Sequence, residues 1–427
     1  MEKIDKIFSV KANGHSMLPI LQDGDIIEYI QSSFEKIFIN DIVLIYQKNE
    51  LIAHRVIYKT KSICITRGDN NFIADKPLKK GSILAKVVRF KRHNKWHGLQ
   101  DLYYVQSNFY LKEIIKIETL LKLYKIPHVF IKGVLVSLRY EKAIPKRIYG
   151  DCDVLIQRSE YKKIVNMFSK LGYGLICKPP SSFTSLKKPN ELAEVSFSKM
   201  VNNVPIIFDV HFEAAFLISQ LKGMNFIFPK NKLMKFSSGI LERREEIKIN
   251  NTDYPLCSVS DQILYLALHI LNHNFSDSIR YEFLSTVIKR KATKKLFNDL
   301  TQTILENELE GYVYPVFLLI NKYYKKTIPQ NFISSIEPPP FRKWMAKNII
   351  EKVDIFSHDA QELKKVFNLF FLSAEPVWKK ILLFFEPETA LAVLWVTRKR
   401  CRIILQLTRF KLTHTSKEKF HYKKEGI

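Results

Sequence analysis

Length, charge and cysteine content set the first limits on this chain. Its 427 residues suffice for two or three domains, and the 46% of hydrophobic residues supports ordinary buried cores. Five cysteines are scattered without metal-ligand spacing, which excludes a disulfide-stapled scaffold. The net charge of +26 indicates an acidic partner, such as nucleic acid, a nucleotide or an anionic membrane; the alternative is a proteome that is generally rich in lysine.

The start of the chain predicts neither a leader nor an anchor. Only fifteen residues precede the first candidate serine, and several of them are charged. No apolar run in the sequence approaches the length that spans a membrane. We therefore expect a cytoplasmic protein, at most peripheral to a membrane.

A serine in a constrained turn is the first candidate for chemistry. Ser16 lies in the segment GHSMLP (14–19), and Gly24-Asp25 then opens an apolar strand. Glycine and proline restrict the backbone of such a turn, so the hydroxyl can project from it. A serine is a poor nucleophile at neutral pH unless a base lies within hydrogen-bond reach and a third group orients that base.

The candidate base is His54. It lies in IAHRVIY (52–58), whose β-branched and apolar residues predict a strand that holds the ring. Asp69 lies in the turn-like segment GDNN (68–71) and Asp75 follows it, so either carboxylate could orient the histidine. Taken singly, a capping serine, a core histidine and a turn aspartate are the more ordinary interpretations.

Together, in this order, these elements resemble the signal peptidase I family and its LexA-like relatives, over about the first 90 residues. The position of the base, just before an Arg-Val-Ile run, holds histidine, as in archaeal and endoplasmic-reticulum members, where bacterial members hold lysine. The resemblance implies that Ser16 is the nucleophile, His54 the general base and Asp75 the acidic residue, with Asp69 close by. His15 departs from the pattern, because small residues usually precede the serine.

The pattern changes after Phe90. The stretch RFKRHNK (89–95) is basic and breaks the strand periodicity, and we predict a linker at 93–108. Apolar residues then recur at helical spacing from Phe109 to Lys125. The elements predicted next are a short strand in 128–133, a helix through Tyr140, a buried strand ending at 156, a helix over 159–171 and strands over 191–199 and 204–211.

Two carboxylates on one strand form the second candidate site. Asp151 and Asp153 lie in GDCDVLI (150–156), and their spacing puts both side chains on one side of the strand, with Cys152 on the other. Their repulsion is relieved by a divalent cation. Asp209, in the apolar strand IIFDVH (206–211), adds a third carboxylate if the strands are neighbours. Three such aspartates predict a Mg²⁺ or Mn²⁺ site for phosphoryl or nucleotidyl transfer; the alternative is a turn aspartate and strand-edge polarity.

Four elements around these aspartates carry a second resemblance. A Lys-Gly pair before a helix, a Pro-x-Arg element, Gly-Asp-x-Asp and Asp-x-His follow one another in an order similar to one branch of the nucleotidyltransferase superfamily, from about Ser107 to Phe283. The Gly-Ser phosphate turn of better-studied members is absent. With a nucleoside triphosphate as substrate, the resemblance implies metal ligands at Asp151, Asp153 and Asp209 and phosphate contacts at Lys132, Gly133 and Arg147.

Beyond residue 258 the pattern is helical. Ser260-Asp261 predicts the cap of a helix on which His269 and His273 lie four residues apart, on one face. No glutamate follows His269 as in a zincin, so core or phosphate-facing histidines are favoured over a metal pair. The tail over 398–427 is strongly basic and indicates contact with an anionic membrane or nucleic acid, or simply a solvated terminus.

The predicted fold class is α+β. We expect a small all-β peptidase domain (1–92), the basic linker (93–108), a nucleotidyltransferase-like mixed sheet with helices (109–257), a helical region (258–397) and the basic tail (398–427). The leading functional hypothesis is a cytoplasmic protein with two activities, a serine endopeptidase and a Mg²⁺-dependent nucleotidyltransferase, that share a peptide substrate. In one alternative the protease-like domain binds a peptide or partner without cleaving it. In another the chain is a basic nucleic-acid-associated or membrane-associated protein with inactive enzyme folds.

Overall fold

The computed structural model describes residues 6–47, 50–141, 149–176, 193–214, 222–249, 252–357 and 362–387. Within these ranges the protein has an antiparallel sheet on its N-terminal side, then a mixed sheet, then a helical C-terminal region. The predicted α+β fold class is confirmed.

The first sheet contains eight strands in the described ranges, in the order β1-β2-β7-β3-β4-β5-β6, with β8 paired to β7. Every pairing in it is antiparallel. The strands are β1 (Ile7–Lys11), β2 (Ile26–Gln31), β3 (Ile42–Gln47), β4 (Glu50–Lys59), β5 (Ile63–Arg67), β6 (Leu78–Lys79), β7 (Ile83–Arg92) and β8 (Lys95–Gly98).

The central strand β3 is buried on both of its faces by apolar side chains. Successive residues of a strand point to opposite faces. Ile42 and Leu44 accordingly join a cluster with Met17, whereas Val43 and Ile45 join a separate cluster. The first cluster contains the loop that carries Ser16, so packing beneath the sheet places that loop.

The predicted linker over 93–108 is wrong for most of its length. Lys95–Gly98 is strand β8, which forms a hairpin with β7, and helix α1 begins at Asp101. The Asp101 carboxylate accepts a hydrogen bond from the Gly98 backbone N–H at 2.7 Å, which fixes the turn between strand and helix. Basic side chains therefore mark an exposed hairpin, because lysine and arginine are compatible with the solvent-facing side of a strand.

The second sheet has seven strands in the described residues, in the order β11-β12-β13-β10-β9-β15-β14. It is mixed, because β10 pairs with β13 and β15 pairs with β9 in parallel, and the other pairs are antiparallel. The strands are β9 (His128–Phe130), β10 (Cys152–Ile156), β11 (Gly174–Ile176), β12 (Glu194–Val201), β13 (Val204–His211), β14 (Glu245–Ile249) and β15 (Thr252–Leu256).

Helices pack around the second sheet and continue beyond it into one hydrophobic core. Those that alternate with its strands are α1 (Asp101–Leu123), α2 (Val134–Glu141), α3 (Tyr161–Lys170) and α4 (Lys230–Glu242). Those of the C-terminal region are α5 (Val259–Asn272), α6 (Ser278–Lys291), α7 (Lys294–Glu306), α8 (Glu310–Tyr323), α9 (Gln330–Ser335), α10 (Pro340–Glu351), α11 (Glu362–Leu372) and α12 (Val377–Phe385). None of the described helices combines the length and the apolar character needed to cross a bilayer.

The first sheet docks on the helical region through β4 and β5. The hydroxyl of Tyr58 donates to the Tyr323 carbonyl at 3.1 Å, and its ring contacts those of Tyr323, Tyr324 and Phe356. Arg67, which is 6% exposed, donates to the Phe356 carbonyl at 3.0 Å. Its other terminal nitrogen lies 3.4 Å from Oδ1 of Asp277. A buried arginine with two partners ties the two regions together.

Candidate active sites

Ser16 lies in the loop between β1 and β2, and a second loop holds its backbone. The N–H of Asn70 donates to the Ser16 carbonyl at 2.8 Å, and the Asn70 side-chain amide donates to the His15 carbonyl at 3.2 Å. Gly68 passes so close that a Cβ there would lie 2.6 Å from the Ser16 carbonyl oxygen. Only glycine fits at the start of this GDNN turn, and the turn fixes the position of the serine.

His54 on β4 connects Ser16 to Asp75. Its Nδ1 lies 2.6 Å from Oδ2 of Asp75, and its Nε2 lies 3.3 Å from Oγ of Ser16. A carboxylate only accepts, so in the neutral ring Nδ1 carries the proton and Nε2 is left to accept from the hydroxyl. Thr66 on β5 donates its hydroxyl to the same Asp75 oxygen at 2.6 Å. This is the arrangement in which an oriented imidazole takes a proton from a serine.

Asp69 does not orient His54. Its two carboxylate oxygens each accept a hydrogen bond from Arg55, both at 2.7 Å. Arg55 follows His54 on β4, so the two side chains leave the strand on opposite faces. Asp69 pairs on the arginine's side, whereas Asp75 reaches the histidine. Of the two candidate acids, only Asp75 is hydrogen-bonded to His54. We call the hydrogen-bonded chain of Ser16, His54 and Asp75 the relay.

The Gly24-Asp25 motif has a structural partner that the sequence did not indicate. Asp25 is 3% exposed and accepts two hydrogen bonds from Arg92 at the end of β7, at 2.9 and 2.7 Å. Arg92 also donates to the Ile20 carbonyl at 3.0 Å. The Asp25–Arg92 pair holds the loop that contains Ser16 against the end of β7. The two residues are far apart in sequence, so no local pattern predicts their contact.

The three aspartates of the second site converge. Asp153 on β10 lies opposite Asp209 on the parallel strand β13, and Asp151 immediately precedes β10. One carboxylate oxygen from each lies within 4.8 Å of the others. The prediction that they lie together is confirmed, and their role as metal ligands stays a prediction. An all-carboxylate donor set of this size fits a hard divalent cation such as Mg²⁺ or Mn²⁺.

Lys132 and His211 supply the positive partners of this cluster. The Lys132 ammonium lies 2.9 Å from Asp151 and 3.1 Å from Asp153. Nε2 of His211 lies 2.8 Å from the other oxygen of Asp153, and its Nδ1 lies 3.5 Å from Glu194. Burial opposes ionisation of Asp153, but Lys132 and His211 outweigh it and hold the pKa of Asp153 below its usual range. Burial and the neighbouring Asp153 raise the pKa of Asp151.

His211 is the histidine of the Asp-x-His motif, and the sequence alone does not indicate its role. His211 lies two residues after Asp209 on one strand, so alternation puts both on the same side of the sheet. Glu194 pairs with His211 in register on β12, which only the antiparallel pairing of β12 and β13 discloses. Burial opposes protonation of His211, yet Asp153 and Glu194 raise its pKa.

Gly133 and Cys152 shape the backbone behind the carboxylates. Gly133 begins the turn into α2 with φ of +100°, and a Cβ there would lie 3.2 Å from the Cys152 sulfur. Cys152 is fully buried, as predicted for the face opposite the aspartates. Arg147 lies outside the described residues, and so does the basic tail over 398–427, to which the predicted membrane or nucleic-acid contact was assigned.

Comparison with known proteins bears on the second site. Residues 82–286 match the model of a family described as an uncharacterised nucleotidyltransferase. The chain contains a nucleotidyltransferase-like domain. The match covers β9 to β15 with the three aspartates, and it extends back to β7 and β8 of the first sheet, further than the predicted start near Ser107. No curated protein matches the chain, and the family match does not reach Ser16, His54 or Asp75.

Proposed function

We propose that this protein is an enzyme with two sites, a divalent-metal-dependent nucleotidyltransferase and a Ser-His-Asp peptidase. The observation that carries the first is the convergence of three aspartates within 4.8 Å beside Lys132, in a domain that matches a nucleotidyltransferase family. The observation that carries the second is the Ser16–His54–Asp75 relay. We place the protein in the cytoplasm, where a transferase would find nucleoside triphosphates.

In the transferase site, Asp151, Asp153 and Asp209 would hold Mg²⁺ or Mn²⁺ through carboxylate oxygens. The cation would supply charge for the phosphates of a nucleoside triphosphate, which carry several negative charges. Lys132 follows β9 and precedes the N-terminus of α2, and its ammonium lies among these carboxylates, where it can transfer its contact to a phosphate oxygen. His211 holds one oxygen of Asp153, which leaves the other directed toward Lys132.

The test of the transferase is Mg²⁺-dependent binding of the four common nucleoside triphosphates, measured by calorimetry. Asp153→Asn and Asp209→Asn should each weaken binding at least about a hundredfold, because a metal ligand is lost. Cys152→Ser is the matched control, since the altered atom lies on the opposite face of the same strand and should change affinity by less than about threefold. Wild-type affinity in both aspartate variants would reject the proposal.

In the peptidase site, Ser16 Oγ would attack the carbonyl carbon of a peptide while His54 Nε2 takes its proton. His54 would then give that proton to the leaving amine, and water would release the acyl group from Ser16. Asp75 holds the imidazole through Nδ1, and Thr66 holds Asp75. The alternative is a peptide-binding module without cleavage, and it is favoured if Ser16→Ala binds peptides as the native protein does and neither form cleaves them.

We propose further that both sites act on one peptide. The docking of β4 and β5 on the helical region supports this, because it keeps the two sites in one assembly. In place of the predicted linker, the chain passes from β8 to α1 through residues 99–100. Mass spectrometry of candidate peptides incubated with nucleotide and Mg²⁺ tests the idea: the shared substrate should gain a nucleotidyl mass and also be cut.

A further inference from the structure

One face of α5 has a row of polar and aromatic side chains that starts near the carboxylate cluster. Gln262, Tyr265 and His269 follow one another at spacings of three and four residues, so they share a face of the helix. His273, four residues further, is the residue that caps the C-terminal end of α5. Nε2 of Gln262 donates to the Ile131 carbonyl at 2.9 Å, directly before Lys132. The row therefore begins beside the Lys-Gly turn and runs away from it along the helix.

The two imidazoles of the row pack against each other, and His269 also packs against Tyr265. The His269 centroid lies 6.0 Å from that of Tyr265 and 4.6 Å from that of His273. In the part of the chain that the structure describes, neither imidazole makes a hydrogen bond, although both are partly buried. Neither ring has a nitrogen among the fully buried polar atoms that lack a partner, so these nitrogens are open to solvent, or to a ligand that replaces it.

The charges around the row change sign along it. Near the start of the row, burial and then the Asp153 and Asp151 carboxylates raise the pKa of Tyr265. Burial lowers the pKa of His269, and the strongest charged neighbour is Lys132. Burial, then Arg280, Lys365 and Lys132, lower the pKa of His273 to about 3. At neutral pH both rings are uncharged, each with one N–H to donate. The charged neighbours that lower their pKa values are cations, and the acidic neighbour of His273, Asp277, pairs with Arg280.

We propose that His269 and His273 bind the phosphate chain of the nucleotide, at the end away from the three aspartates. Lys132 would receive the phosphates nearest the metal, and the two imidazole N–H groups would donate to oxygens farther along, near Arg280. A row that starts at the carboxylates and ends among cations matches a metal-bound triphosphate, whose charge extends beyond the metal. The inference rests on the proposed transferase function and adds its phosphate subsite.

The experiment measures binding of inorganic tripolyphosphate and of the four common nucleoside triphosphates, each with Mg²⁺, by calorimetry. The double variant His269→Phe/His273→Phe keeps ring packing and removes both N–H donors. It should weaken tripolyphosphate and nucleotide binding about tenfold to a hundredfold, the effect of losing hydrogen bonds to a charged partner. His97→Phe on β8 is the matched control, because His97 is also a partly buried histidine stacked on a ring, and it should bind as the native protein does.

The outcomes distinguish failure of the phosphate subsite from failure of the proposed transferase function. If the native protein binds and Asp209→Asn does not, while the double phenylalanine variant binds tripolyphosphate normally, only the phosphate subsite is rejected. Weakened binding of the nucleoside triphosphates alone, with tripolyphosphate binding unaffected, would assign the row to the base and also overturn the proposal. If neither phosphate compound binds the native protein, the transferase function fails first. His269→Gln/His273→Gln, which restores an N–H donor at each position, should recover part of the affinity and guards against a variant that merely misfolds.

Discussion

The two candidate sites satisfy their polar groups in different ways. In the Ser16–His54–Asp75 relay, each side chain has a partner from the chain itself, and Thr66 completes it. In the carboxylate cluster, Asp151 and Asp153 share the one ammonium of Lys132, and His211 pairs with Asp153. A complete relay needs only its substrate to react, whereas a concentration of carboxylates changes its electrostatic balance when a cation and phosphates bind.

The sharpest way to test that the first site is complete is to remove its members one at a time. Ser16→Ala and His54→Ala should each lower peptide cleavage by about 10⁶-fold, and the double variant should lose no more than either alone. Residues that act as one unit show this non-additivity. The measurement is cleavage of a peptide mixture, or of the chain itself, followed by mass spectrometry.

Two outcomes would contradict the view that the first site is a complete catalytic unit. Independent, multiplying effects would mean that serine and histidine do not act as one unit. Retained cleavage in His54→Ala, with loss on substitution of a lysine, would assign the base to that lysine and leave the relay as a structural feature. Each variant needs its folding checked by circular dichroism, because His54 is buried.

A smaller effect should separate the two acids that the sequence left as alternatives. Asp75→Asn keeps the shape but offers Nδ1 of His54 a poorer partner, and activity should fall about 10⁴-fold with little change in substrate affinity. Asp69→Asn removes a carboxylate from Arg55, whose side chain is 9% exposed, so it should lower the free energy of unfolding by about 2 kcal/mol.

Kinetics and denaturant titration on the same two variants check this pair of expectations. The expected pattern is crossed, with activity lost in one variant and stability lost mainly in the other. Equal losses of activity would mean that Asp69 also contributes to the orientation of His54. Unchanged stability in Asp69→Asn would mean that solvent compensates Arg55 after the change.

The sequence predicted the members of each site better than their partners. Strand alternation was enough to place Asp151 and Asp153 on one face, since it depends only on local geometry. The choice between Asp69 and Asp75 depended on how a loop folds back, which alternation does not govern. The pairing of Asp25 with Arg92 and that of Arg67 with Asp277 join residues far apart in sequence, so no local pattern contains them.

The misplaced linker has a similar cause. Charge and broken periodicity over 89–95 were interpreted as an interdomain segment, but a hairpin with one exposed face has the same composition. The hairpin is recognisable only through its pairing, and the family match beginning at residue 82 shows that β7 and β8 accompany the transferase-like domain in sequence.

The last prediction concerns stability alone, at the contact that keeps the two sites together. Arg67→Ala removes a buried arginine from the Phe356 carbonyl and from Asp277, and should lower the free energy of unfolding by about 2 to 3 kcal/mol. Arg89→Ala is the matched control: that arginine pairs with Glu28 at 2.5 Å, but its side chain is 47% exposed, so the loss should stay below about 1 kcal/mol.

Denaturant titration of both variants measures the difference, and limited proteolysis shows where it acts. With Arg67→Ala, new cuts should appear around 99–100, between β8 and α1, because the sheet no longer docks firmly on the helical region. Cleavage and nucleotide binding measured separately should each persist, since neither site contains Arg67. Equal stability of the two arginine variants would mean that the Tyr58 ring contacts alone hold the regions together, and Tyr58→Ala would then show the larger loss.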